Sequence, residues 1–241
     1  MRSSHQKILS IAVLVAASFN TVGIAQEEKP TPKKKRPANA AFAKIKDNSK
    51  LPRVLLIGDS ISIGYTVATR ELLKGKANLH RIPTNGGPTT RGLESLEDWL
   101  GTGKWDVIHF NWGLHDLKYI NDKKQLVAKG KGHQQVSLED YEQNLKKLVK
   151  QLKNTGAKLI WCSTTPVPEG AAGRVMGDAV KYNAVAANVM QEENVSINDL
   201  YSFANEQLET IQRPANVHFS PAGSKVLAKQ VAEKILDALQ K

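Results

Sequence analysis

The chain has 241 residues, a length that suits one α/β domain or two small ones. Apolar residues make up 41% and charged residues 24%, which excludes a chain disordered throughout, and a single cysteine excludes an internal disulfide framework and a Cys-rich zinc site. The net charge of +11 is gathered near the N-terminus: +2 falls in residues 1–25, +5 in residues 26–50 and only +4 in residues 51–241, so the body has little of the charge excess expected of a nucleic-acid-binding domain.

Arg2 and Lys7 precede the apolar stretch Ile8–Phe19, and Gly23 and Ala25 place small residues at the −3 and −1 positions of a cleavage site. Charged start, short apolar core and small-residue site predict a signal peptide over residues 1–25, cleaved after Ala25, and hence a secreted or periplasmic protein. The apolar run is too short for a stable anchor, so no integral membrane segment is expected after cleavage. Residues 26–50 are rich in Pro, Lys and Ala and contain the run Lys33-Lys34-Lys35-Arg36. This composition buries too little apolar surface to fold alone, which predicts a basic disordered linker. The run at residues 33–36 is either solvated or a contact for polyanions.

From residue 51 onward, short apolar runs alternate with longer amphipathic ones, the pattern of βαβ units. Strands are expected at Arg53–Ile57, Ala77–Ile82, Asp106–Asn111, Ala157–Ser163 and Val195–Asn198. Around Leu55, Ile108 and Ile160 the apolar residues are consecutive, as in strands covered on both faces. Helices are expected at Ile61–Leu73, Arg91–Leu100 and Asp178–Glu192. A further helix carries Tyr141, Leu145, Leu148, Val149 and Leu152 on one face, with Ser137 as its cap and Gly156 at its end. The last helix opens at Ser220-Pro221 and repeats Leu227, Val231 and Ile235 every four residues. Two loops, Lys118–Val136 and Thr164–Gly177, follow strands at the carboxyl edge where open parallel sheets bind ligands. Cys162 lies in an apolar run and reads as a buried, inert thiol.

Four blocks carry candidate chemistry. In Gly58-Asp59-Ser60 a serine stands where an apolar strand gives way to a helix, beside N–H groups that favour developing negative charge; an ordinary helix cap has the same look. In Asn85-Gly86-Gly87-Pro88-Thr89-Thr90 the paired glycines let backbone approach a ligand, and the Gly87 N–H is a candidate oxyanion donor. Asn111-Trp112-Gly113-Leu114-His115-Asp116 sets a polar cluster at the end of the most apolar strand. Asn216-Val217-His218-Phe219-Ser220-Pro221 sets a histidine before the last helix, and a doubly wound sheet can bring it to the same edge as Ser60. No spacing suggests a metal site, and no cofactor is implied.

Together these blocks resemble the SGNH, or GDSL-type, hydrolase family over about residues 52–239. The resemblance implies an α/β fold of flavodoxin-like, three-layer α/β/α type, with a doubly wound five-stranded parallel sheet. It implies Ser60 as nucleophile and first oxyanion donor, Gly87 as second donor and His218 as general base. The family's Gly-x-Asn-Asp block aligns with Gly113-Leu114-His115-Asp116, so His115 stands where the family has its oxyanion asparagine. A ring N–H still donates there if the correct nitrogen is protonated. The family's aspartate, three residues before the histidine, is replaced by Ala215. That leaves a Ser–His dyad, a triad with an unusual third member, or a weak enzyme; a backbone carbonyl or the Asn216 amide oxygen remains to orient the ring. Arg91 and Arg174 flank the cleft as candidates for binding substrate. The expected activity is hydrolysis of small acyl esters, acetyl above all, on carbohydrate. A silent glycan-binding module and an acyltransferase are the alternatives.

Overall fold

The computed structural model describes residues 39–240. The expected signal peptide and the Lys33–Arg36 run lie outside the described residues. After a 3-10 turn at Ala40–Phe42 come β1 (Arg53–Ile57), α1 (Ser60–Leu72), β2 (Asn78–Arg81), α2 (Thr89–Leu100) and β3 (Val107–Phe110). A small antiparallel pair, β4 (Tyr119–Ile120) and β5 (His133–Gln134), precedes α3 (Leu138–Lys153), β6 (Lys158–Cys162), α4 (Asp178–Glu192) and β7 (Ser196–Asn198). The chain closes with α5 (Leu200–Asn205), α6 (Leu208–Ile211) and α7 (Pro221–Gln240).

The main sheet has the order β2-β1-β3-β6-β7, with every pair parallel. This is the expected doubly wound five-stranded sheet. The chain moves outward from β1 to β2 and then returns to the other side of β1 for β3, so the order reverses between β1 and β3. Ligands bind outside the carboxyl ends of the strands at such a reversal. Those ends carry Gly58-Asp59-Ser60 and Asn111–Asp116.

The strands are buried at consecutive positions because helices cover both faces. Val54, Leu55, Leu56 and Ile57 are all buried, as are Val107, Ile108 and Phe110. α1 packs on α7, while α2, α3 and α4 lie side by side in a second row. α3 begins as the sequence predicts, with the Ser137 side chain accepting from the Asp140 N–H, and it buries Tyr141, Leu145, Leu148, Val149 and Leu152. His109 is wholly buried in β3, where its Nε2 lies 3.1 Å from Asn198 Nδ2, and burial pushes its pKa down to about 4. Among the described residues no helix is long and apolar enough to cross a membrane.

Three features differ from the sequence reading. The loop at 118–136 contains the β4–β5 pair, and α5 and α6 are helices too short to show a hydrophobic period. The segment 39–50, read as linker, is part of the domain. Ala41 is fully buried, Asp47 bonds Arg53 at 2.8 Å and His80 at 2.6 Å, and Asn78 holds Asn48. The Asn78 amide accepts from the Asn48 N–H and donates to the Asn48 and Leu51 carbonyls, each at 2.9 Å. These anchors are single polar contacts, which composition does not reveal.

Removing the Asn78 amide leaves three backbone groups without their partner. Asn78→Ala is therefore expected to lower unfolding stability by about 1–3 kcal/mol. Urea denaturation monitored by circular dichroism checks this; an unchanged midpoint would mean that the 39–50 segment contributes nothing to the fold.

Candidate active site

The β1 strand ends at Ile57, and Gly58-Asp59 turn the chain into α1. Asp59 is buried, takes extended backbone angles and caps the helix, its Oδ1 accepting from the Ile61 N–H at 2.9 Å. Ser60 is thus the first helical residue. Among the described residues nothing accepts its backbone N–H, as expected in a first helical turn. The turn is fixed from beneath by Arg81. Its Nη1 donates to Ser62 Oγ at 2.8 Å, and its Nη2 faces the carbonyls of Gly58, Asp59 and Thr84 at 2.9, 3.3 and 3.4 Å. Nothing in the sequence marks Arg81 except its place at the end of a strand.

His218 arrives from the opposite end of the chain. Its Nε2 lies 2.9 Å from Ser60 Oγ. Its Nδ1 lies 2.8 Å from Asn216 Oδ1, and the same oxygen accepts the His218 backbone N–H at 2.9 Å. A backbone N–H is always a donor, so the atom of Asn216 that meets it is the carbonyl oxygen. That oxygen also faces Nδ1, which therefore carries the ring proton. Nε2 is left with a lone pair for the Ser60 hydroxyl. Asp59, Asp116 and Asp199 are each bonded elsewhere, to the Ile61 N–H, to Thr89 and to Ser163 and Ser202. Ala215 sits in the left-handed region with φ 49°, a rare setting for a residue with a side chain. Its loop is pinned by the Arg213 N–H to the His218 carbonyl at 3.0 Å and by Gln212 Nε2 to the Pro166 carbonyl at 2.8 Å. Burial pushes the His218 pKa below the ordinary value of 6.5.

The Asn85-Gly86-Gly87 loop is stitched to the Gly58-Asp59-Ser60 turn by the Gly86 N–H, which donates to the Gly58 carbonyl at 2.9 Å. A Cβ on Gly86 would lie 3.0 Å from that oxygen, so this close approach needs glycine. The Gly87 N–H, the candidate second oxyanion donor, is engaged: it donates to Asn85 Oδ1 at 2.9 Å. An asparagine two residues upstream forms such turns readily.

His115 follows Gly113, whose φ of 154° and contact with Thr164 leave no room for a side chain. The His115 Nδ1 lies 3.5 Å from Lys118 Nζ. An ammonium only donates, so this long contact favours the tautomer with the ring proton on Nε2. Burial pushes the His115 pKa down to about 4, with Lys118, Arg174 and Arg91 acting in the same direction, so the ring is a neutral donor at pH 7. Arg174 is partly buried and clamps this loop, its Nε donating to the Leu114 carbonyl at 3.0 Å. Arg91 is exposed, and its Nη2 donates to Thr84 Oγ1 at 3.1 Å. A groove of about 810 Å³ opens beside Ser60 and His218 between α1 and α7; Gly87, His115, Arg91 and Arg174 do not line it.

The model of the GDSL-like lipase/acylhydrolase family matches residues 56–226, the span that holds all four blocks. The chain belongs to this family. A GDSL esterase/lipase of Arabidopsis thaliana is 26% identical over 208 residues, covering 76% of this chain and 85% of the relative. Among solved structures, the acetyl xylan esterase AlAXEase superposes with a TM-score of 0.62 at 17% identity, covering 76% of this chain and 99% of that one. The acetylxylan esterase Axe2 of Geobacillus stearothermophilus gives 0.61 at 21%, covering 76% and 94%. A lipase/acylhydrolase of Enterococcus faecalis gives 0.63 at 17%, covering 76% and 95%. At these identities the structures establish a shared SGNH hydrolase fold.

Within this GDSL-like fold Asp116 ties two blocks together. It is fully buried, and its Oδ1 accepts the Thr89 N–H at 2.7 Å and the Thr89 hydroxyl at 2.5 Å, so the loop bearing His115 is bound to the start of α2 just past Gly87. Its Oδ2 has no partner among the described residues. Burial raises its pKa to about 7. A folded pKa above the ordinary value of about 3.9 means the folded state holds the proton more tightly, so stability is lost as pH rises through this window. Asp116→Asn removes that titration. The stability of Asp116→Asn relative to wild type is expected to increase between pH 4 and pH 7, read from urea unfolding at each pH; a difference independent of pH would show an Asp116 carboxyl with no shifted pKa.

Proposed function

We propose that this GDSL-family protein is a secreted serine esterase that removes small acyl groups, acetyl above all, from carbohydrate. The observation that carries the reading is the contact of Ser60 Oγ with a His218 ring whose lone pair is directed to Nε2 by Asn216. Ser60 Oγ attacks the ester carbonyl carbon as its proton passes to His218 Nε2. The developing oxyanion is held by the Ser60 N–H at the start of α1 and by the His115 Nε2–H; Gly87 joins them once its N–H is released from Asn85. His218 then gives its proton to the departing alcohol oxygen, and water attacks the acyl-enzyme by the same route in reverse. Export is the role of residues 1–25. Acetyl as the acyl group is supported by the likeness of fold to two acetylxylan esterases. The engaged serine argues against a silent module.

In serine proteases, asparagine in place of the triad aspartate costs about 10⁴ in turnover because the imidazole takes the wrong tautomer. Here the amide presents oxygen, so that loss does not apply. What is missing is a negative charge to stabilise the imidazolium.

Two sets of variants follow from these roles. Ser60→Ala is expected to abolish hydrolysis of p-nitrophenyl acetate and labelling by a serine-directed fluorophosphonate; a rate equal to wild type rules out Ser60 as nucleophile. Asn216→Ala is expected to lower kcat while Asn216→Asp keeps it. The wild-type kcat/KM should rise with pH through a midpoint below 6.5, since burial favours the neutral ring, and the new carboxylate in Asn216→Asp should move that midpoint upward. Identical profiles would mean that residue 216 does not touch the ring in solution.

A donor to the oxyanion acts on the transition state. His115→Ala is therefore expected to lower kcat by about 10²–10³ with KM little changed, and His115→Asn to recover part of that loss. Steady-state kinetics on p-nitrophenyl acetate decide it, and an undiminished kcat in His115→Ala removes this ring from the oxyanion site.

A further inference from the structure

The groove beside the catalytic pair lies on one side of it only. Ser60 and His218 stand at its end, and it runs between the stripe of α1 that carries Gly64, Ala68 and Leu72 and the stripe of α7 that carries Ser224, Lys225 and Lys229. From Ser60 to Leu72 is twelve residues of helix, about 18 Å at 1.5 Å per residue. At Gly64 the helices nearly touch, because a Cβ there would lie 3.1 Å from Ser224 Oγ. Apart from Glu71 the α1 wall beyond Ser60 is apolar and open, with Val67 42% and Leu72 40% exposed. The volume falls within the range usual for ligand sites.

Proton transfer decides which part of an ester belongs there. The oxyanion faces the Ser60 N–H and the His115 loop. The leaving oxygen must face the group that protonates it, which is His218 Nε2. His218, which protonates that oxygen, lines the groove, whereas Gly87 and His115 do not, so the groove is assigned to the alcohol and not to the acyl group. Its charge then describes that alcohol. Arg213, Lys225 and Lys229 line the groove against a single acid, Glu71, and among the described residues none of the three cations has a carboxylate within 4.0 Å. Lys225 and Lys229, four residues apart on α7, share one helix face.

We propose that this groove binds the alcohol portion of the ester and selects an oligosaccharide bearing anionic groups, carboxylate or sulfate, with its sugar C–H faces on the α1 wall and its charges on Arg213, Lys225 and Lys229. The proposal rests on the esterase reading above and names its substrate class.

The test compares three acetylated oligosaccharides of equal length: a neutral xylo-oligosaccharide, an oligogalacturonide and a sulfated galacto-oligosaccharide. At low salt at least one anionic substrate should exceed the neutral one in kcat/KM by about tenfold, the size of one charge-assisted contact. That ratio should shrink as salt screens the cations. In the double variant Lys225→Gln/Lys229→Gln the ratio should approach one, while Lys147→Gln on α3 keeps the wild-type ratio. A preference for only the carboxylated or only the sulfated substrate supports the proposal and identifies the anion. Equal kcat/KM for all three in wild type overturns it. If wild type hydrolyses none of them, nor p-nitrophenyl acetate, the esterase reading fails instead. Calorimetric binding of the deacetylated oligogalacturonide and of the deacetylated sulfated galacto-oligosaccharide to Ser60→Ala then decides the groove by itself. Binding of either that the lysine variants lose keeps the anionic site, and binding of neither removes it.

Discussion

One amide oxygen organises the catalytic edge. Asn216 Oδ1 receives both the backbone N–H and the ring Nδ1–H of His218, so a single atom sets the position of the loop and the tautomer of the base. A carboxylate would do the second job by charge. The amide does it by geometry, because the backbone N–H fixes which end of the side chain meets the ring. The result is a neutral His218 whose Nε2 lone pair faces the Ser60 hydroxyl. Its pKa lies below the ordinary value because burial opposes the imidazolium, a penalty that the charge of Asp59 only partly offsets.

The rest of the edge is held by backbone and by buried side chains. The Gly86 N–H bonds the Gly58 carbonyl, Arg81 gathers three carbonyls of the same two loops, and Asp116 bonds Thr89 at the start of α2. These contacts bind the ends of β1, β2 and β3 to one another, where the strand order reverses. His115 and His218 stand in complementary states on this frame. The long Lys118 contact favours a His115 proton on Nε2, and the Asn216 oxygen directs the His218 proton to Nδ1. One ring can give a hydrogen bond to an oxyanion while the other takes the proton of a hydroxyl, and burial keeps both neutral.

The sheet was readable in the sequence because strands buried on both faces leave consecutive apolar residues, and β1 falls at Arg53–Ile57 as that pattern predicts. The blocks holding Ser60 and His218 were readable because each stands where a strand or loop meets a helix. What was not readable is which of several partners a group meets once the chain is folded. The engagement of Gly87 by Asn85 is a choice between two acceptors for one N–H. Arg81 has no motif around it, and its role arises only when β2 lies beside β1. Asn216 was one of several possible partners for His218, and only the folded loop, with Ala215 at positive φ, brings its oxygen to the ring.

The arrangement at the site turns on the tautomer of His218, and ¹⁵N-resolved NMR of the imidazole reads it directly. At a pH above the His218 titration, the ring is expected to be protonated at Nδ1, with Nε2 at the shift of an unprotonated nitrogen that accepts a hydrogen bond. A ring protonated at Nε2 would contradict it, since Asn216 would then present its NH₂ group and Ser60 would face a donor instead of a base.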